Sequence, residues 1–192
     1  MNEEIIMAKM KKTAKKAAKK PVKKLTKKTK KVSVIPKGYH SITPYLIVKQ
    51  GMKAIEFYKK AFGAKVKMCM PSMTKEAGKV GHAELQIGDS KFMMGDECPQ
   101  MNSFAPQANQ RPPVGIHVYM KDVDAVIERA VDLGAKITRP TADQFYGDRA
   151  GGIEDPFGHH WYIATHIEDV TPAQMKKRLA NMECHTSCEH KE

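Results

Sequence analysis

A chain of 192 residues has room for about one domain with extensions. Its net charge of +12 sits wholly in residues 1–38, where 14 lysines face only Glu3 and Glu4, while residues 39–192 balance 19 Lys and Arg against 19 Asp and Glu. No apolar run approaches the ~20 residues of a membrane-spanning helix, and the N-terminal residues lack the hydrophobic stretch of a secretory signal.

Residues 8–31 repeat Lys-Lys between Ala, Thr, Val and Pro. So much like charge with so little to bury cannot offset the entropy of ordering, and residues 1–38 read as a disordered tail. Ile42 to Val48 reads as a strand. Residues 51–62 place Ile55, Tyr58, Ala61 and Phe62 on one helix face, and Gly63 follows as a stop. Strands are expected at Lys65–Met70, Val80–Ile87 and Lys91–Gly95, with Gly88-Asp89 as a hairpin turn. Pro99 to Pro113 reads as a linker. A strand at Val114–Met120 then leads to a helix capped by Asp122 and ended by Gly134. Strands follow at Lys136–Arg139, near Ala150–Glu154 and at His160–Ala164. Thr171-Pro172-Ala173-Gln174 has the cap, proline and glutamine of a helix start, and that helix runs to about Met182.

The helix ending in Phe-Gly-Ala-Lys-Val recurs 71 positions later as Leu-Gly-Ala-Lys-Ile, each copy preceded by a strand. Such self-similarity fixes architecture. Two βαβββ modules, residues 42–97 and 114–166, make an α+β domain over residues 39–168: a curved, eight-stranded mixed sheet around a cavity. Residues 169–192 add a helix and a tail. The cysteines Cys69, Cys98, Cys184 and Cys188 show no disulfide-framework spacing, which fits a reducing cytoplasm.

Thr43-Pro44-Tyr45-Leu46, Gly81-His82-Ala83-Glu84-Leu85, Phe145-Tyr146-Gly147-Asp148-Arg149 and Glu154-Asp155-Pro156-Phe157-Gly158-His159-His160-Trp161 carry a resemblance. The chain resembles the vicinal oxygen chelate superfamily of glyoxalases, bleomycin-resistance proteins and extradiol dioxygenases, and its PhnB-like branch in particular, over residues 39–182. The resemblance implies a homodimer that binds a small molecule. In metal-using members, His, Gln or Glu side chains from the first and last strand of each module hold one divalent ion. The corresponding positions here are Thr43, Phe92 (or neighbouring Met93), Gly115 and Tyr162. Zn, Ni, Fe or Mn needs imidazole or carboxylate donors, so no metal site or cofactor is expected.

Strand alternation places Tyr45, His117, Tyr119 and Tyr162 on the side of those positions. With Phe92, Arg149 and His160 they form the expected ligand-binding set. His117 and Glu84 are the candidates for proton transfer. His82 shares the Glu84 face, and a cross-strand ion pair from Glu84 to a lysine or arginine is the alternative. His159 and His160 are adjacent on a strand and point to opposite faces, so they cannot share one ion. Tyr146 to Gly152 reads as a mobile loop in which Arg149 either clamps an anionic ligand or pairs with Asp148. Cys184, His185, Cys188 and His190 lack the second ligand pair of a designed zinc site. The leading expectation is a cytoplasmic small-molecule-binding protein without the usual metal. The alternatives are a divalent-metal lyase or dioxygenase of glyoxalase type, and a nucleoid-associated protein whose residues 8–31 contact nucleic acid without reading sequence.

Overall fold

The computed structural model describes residues 32–73, 78–107 and 112–186, with side chains to Asn181. Contacts divide the chain into two units between Val34 and Ile35, and every described helix and strand belongs to the second. The lysine repeat and the residues after Thr186 lie outside the described residues, and the Cys184 and His185 side chains are not described.

The elements run β1 (Tyr45–Val48), α1 (Gly51–Phe62), β2 (Lys65–Pro71), β3 (Val80–Ile87), β4 (Ser90–Asp96), β5 (Gly115–Tyr119), α2 (Val123–Asp132), β6 (Lys136–Asp143), β7 (Asp148–Glu154), β8 (His160–His166) and α3 (Pro172–Thr186). Local chemistry sets their ends. Gly63 adopts φ 65° and its N–H reaches the Lys59 carbonyl, which closes α1. The Asp122 carboxylate accepts from the Ala125 amide at 3.1 Å and caps α2. Thr171 and Gln174 bond reciprocally at the start of α3. The linker opens with a single 3₁₀ turn at Pro99–Met101, beside a bridge between Cys98 and Ser103.

The eight strands form two four-stranded mixed sheets, ordered β1-β4-β3-β2 and β5-β8-β7-β6. In each, the module's first strand runs parallel to its last, β1 with β4 and β5 with β8, and the other pairings are antiparallel. This is the connectivity expected of two βαβββ modules.

One face of each sheet is packed and the other is free. Leu46, Val48, Leu85, Phe92, Met94, Ile153, Trp161 and Ile163 join the apolar faces of α1 and α2 in one core. Trp161 links the modules, its ring 4.8 Å from Phe62, 5.5 Å from Tyr58 and 6.0 Å from Phe92. Asp155, only 2% exposed, is the polar counterpart of this junction. One oxygen accepts from Tyr58 Oη at 2.8 Å and Trp161 Nε1 at 2.9 Å. The other accepts from the Phe157 and His159 amides, each at 2.9 Å. Burial and the adjacent carboxylate hold the Tyr58 phenol well above its ordinary pKa, so it remains a donor.

The stretch read as a mobile loop is largely strand. Only Gln144 to Gly147 turn, and Asp148 to Gly152 belong to β7. Glycine here serves close packing: a Cβ on Gly151 would lie 2.5 Å from Ile127 Cδ1 of α2.

Candidate functional site

β1 and β5 flank a cleft of about 710 Å³, walled by Leu46, Ile47, Phe104, Pro106, Pro113 and Ile116 and reached by Tyr45, His117, His159 and His160. Its walls are mostly apolar, with a few polar groups, as in small-molecule pockets generally. The two histidines of the Gly158-His159-His160 turn take different tasks, as strand alternation requires. His159 donates from Nε2 to the Ile47 carbonyl at 3.0 Å and so ties the second module to β1. His160 opens β8 between Gly115 and Glu154. Its side chain is 4% exposed, and Nε2 has no hydrogen-bond partner. Glu154 Oε2 lies 3.4 Å away but out of line for a bond.

The free faces continue from the cleft. On the second sheet, His117 pairs in register with Tyr162, and its ring meets Tyr119 edge-on at 4.9 Å. Beyond them lies a network that the sequence did not disclose. Tyr119 Oη donates to Asp148 at 2.9 Å, and His166 Nδ1 lies 2.7 Å from the other oxygen of the same buried carboxylate. His166 Nε2 reaches Asp169 at 3.1 Å. The hydrogen bond to Asp148 raises the Tyr119 pKa, and the two aspartates raise that of His166. Alternation along β8 puts His166 on the face of Tyr162 and Ala164, and the pairings of Tyr119 with Ala164 and of Asp148 with His166 bring the other two there, a register that only the structure supplies.

On the first sheet, Tyr45 Oη meets His82 Nδ1 at 3.2 Å, and His82 Nε2 lies 3.7 Å from Glu84. Hydrogen bonding to Glu84 raises the pKa of the Tyr39 phenol. The alternative account of Glu84 therefore changes: its partners are a histidine and a tyrosine, not a lysine or arginine. Glu84 also lies apart from the cleft that holds His117.

Two expected members of the ligand set stand elsewhere. Phe92 is 5% exposed and points into the core against Tyr58 and Trp161, while neighbouring Met93 takes the free face. A one-residue difference in register exchanges faces. Arg149 neither enters the cleft nor pairs with Asp148. Its guanidinium grips Asp124 at 2.6 and 2.9 Å and Asp143 at 2.8 Å, which fixes β7 to α2 and β6. Tyr45, His117 and His160 meet at the cleft; Tyr119 and Tyr162 extend the free face.

The four metal-ligand positions of the resemblance are thus Thr43, Met93, Gly115 and Tyr162. They do not fit a divalent ion, since a hydroxyl, a thioether and a phenol make no donor set for Zn, Ni, Fe or Mn. The Tyr162 ring lies so close over Gly115 that a Cβ there would be 2.3 Å from its Cε2, so these two positions fill each other's space. Among the described residues, no three His, Cys, Asp or Glu side chains gather to hold an ion.

The model of the glyoxalase/bleomycin resistance protein/dioxygenase superfamily matches residues 38–163. The chain belongs to this superfamily. An uncharacterised protein of Mycobacterium tuberculosis is 35% identical over 144 residues, which cover 73% of this chain and 83% of the relative. A gene product of Arabidopsis thaliana, known from an X-ray structure, superposes with a TM-score of 0.52 at 29% identity, over 66% of this chain and 98% of that one. A PhnB protein from Bacillus cereus gives a TM-score of 0.53 at 18% identity, over 66% of this chain and 99% of that one, a likeness of fold.

Proposed function

We propose that the protein binds a small, largely apolar molecule in the cleft between β1 and β5, with His160 as the group that recognises its polar end. One observation carries this reading: the buried, unpartnered Nε2 of His160 at the wall of an apolar hollow. Leaving such a nitrogen without a partner costs about 1–3 kcal/mol, which a ligand hydroxyl, carbonyl or amide recovers on binding. His117 is the second polar contact, and Tyr45 and Phe104 supply aromatic surface. The donor set at the superfamily's metal positions argues against a metal-dependent lyase or dioxygenase. Elemental analysis of untagged protein tests this point, and a stoichiometric Ni, Zn, Fe or Mn would overturn it.

The open free faces, with Tyr45 47%, Met70 47% and Tyr119 61% exposed, support assembly with a second copy of the chain. Sedimentation measures that state. The charge of residues 1–38 supports phosphate contacts without sequence readout. Gel shifts at rising salt test it, and affinity indifferent to salt refutes it. The cysteine spacing supports a cytoplasmic site of action.

The deciding experiment is a thermal-shift screen of small aromatic and alicyclic metabolites. A ligand at 100 times its Kd stabilises the native state by about 2.7 kcal/mol. The shift should vanish in His160→Leu and shrink in His117→Ala. Hits whose shifts are identical in both variants and the wild type place binding elsewhere.

A further inference from the structure

We infer that the chain carries a second, separate binding site, for an organic anion with an apolar body, in the groove between α1 and the turn that follows β7. This groove encloses about 1240 Å³ and shares only Pro106 and Gln107 with the cleft. Four lysines line it: Lys49, Lys53, Lys60 and Lys136. None of them has an ion pair or hydrogen bond to a side chain among the described residues.

The acidic residues at the groove offset only part of this charge. Glu56 is bonded to Lys59 at 2.7 Å. Asp155 is buried and takes its four hydrogen bonds from Tyr58, Trp161 and two backbone amides. The donors to Asp155 are neutral and cancel none of its charge, so Asp155 and Glu154 stand against the four lysines, and the groove keeps a formal excess of two positive charges. Residues 39–192 are formally neutral, so the groove is a local excess of positive charge rather than part of a basic surface. A concave site lined by one sign of charge concentrates counter-ions of the other.

The floor adds the second half of the recognition. The Phe57 and Phe157 rings meet at 6.0 Å edge-to-face, and Met52, 49% exposed, and Leu133 flank them. Lysine stems extend such apolar surface while their ammonium groups stay in water. Apolar floor and cationic rim together fit a molecule with a flat hydrocarbon body and a carboxylate, sulfonate or phosphate group. The site lies on the helix side of the domain and does not depend on the cleft.

Anilinonaphthalene sulfonate, an anionic aromatic probe, tests the assignment by fluorescence titration of the full chain. Lys53→Glu/Lys136→Glu should weaken binding about tenfold, the size expected for two exposed charge contacts removed and reversed. Raising salt from about 50 to about 500 mM should weaken wild-type binding and leave the variant nearly unaffected. Lys65→Glu/Lys67→Glu, on β2, changes net charge equally without touching the groove and should bind as wild type does. His160→Leu should also bind the probe normally, which separates this site from the cleft. Melting curves confirm that each variant is folded. Equal loss in both lysine pairs would assign the effect to net charge, and no loss in either would place the probe on the open sheet faces. Either result overturns the assignment.

Discussion

Asp155→Asn is the sharpest test of how the two modules are joined. The change is nearly isosteric and replaces one acceptor oxygen with a donor amide. If the remaining oxygen keeps the Phe157 and His159 amides, the new NH₂ group faces Tyr58 Oη and Trp161 Nε1. The Tyr58 hydroxyl can turn and accept, whereas the indole N–H can only donate. One buried donor is left unpaired and the bonds to a carboxylate become bonds to a neutral amide, for a total of about 3–4 kcal/mol. In a domain of this size that lowers Tm by about 10 °C. Tyr58→Phe removes a single bond to the carboxylate and should cost about 1.5–3 kcal/mol. Urea unfolding followed by the one tryptophan, Trp161, which is 1% exposed, measures both. Because both substitutions act on one oxygen, the double variant should cost at least about 1 kcal/mol less than the sum. Strict additivity, or a Tyr58→Phe cost below about 0.5 kcal/mol, would refute the assignment of Asp155 as the polar junction.

Three further outcomes are expected. Gly115→Ala forces a Cβ into the Tyr162 ring and should destabilise by about 1–3 kcal/mol, with Tyr162→Ala in the same chain restoring most of the loss. A Gly115→Ala protein as stable as wild type would show that the ring is not held there. His166, whose pKa its two aspartates raise, contributes stability that is complete below its unfolded value near 6.5 and lost as pH rises through the higher folded value. Melting temperatures should therefore fall across that window in wild type and lose this slope in His166→Gln; an NMR-measured pKa at or below 6.5 contradicts the network. Arg149→Gln should change the melting temperature little, since its pairs with Asp124 and Asp143 are exposed, and should leave ligand-induced thermal shifts unchanged. A lost shift would return Arg149 to the site.

Much of the fold was legible in order along the chain because helix and strand periods, caps and glycine stops are local. The bounds of α1 and the capping of α2 by Asp122 and of α3 by Thr171 followed from neighbouring residues alone. The errors lie where the deciding partner is distant. Arg149 was legible as a binding arginine, but its acids come from α2 and β6. The glycines after Tyr146 signalled a loop, although at Gly151 the reason for glycine is the approach of Ile127. Phe92 and Met93 are both apolar, and only the β4 register says which one faces the core.

By itself the sequence determined that two βαβββ modules repeat and that the charge belongs to residues 1–38, and with the resemblance it implied that His, Gln and Glu are missing from the superfamily's metal positions. Each depends on residue type and spacing along one strand or helix. Only the tertiary structure decided which polar groups lack partners. His160 Nε2 goes without a hydrogen bond because β5, β7 and β8 bury it with Glu154 out of line, and the groove keeps a surplus of lysines because one of its acids, Glu56, is paired with Lys59. Burial and pairing are properties of residues brought together from positions up to about a hundred apart, so no local pattern encodes them.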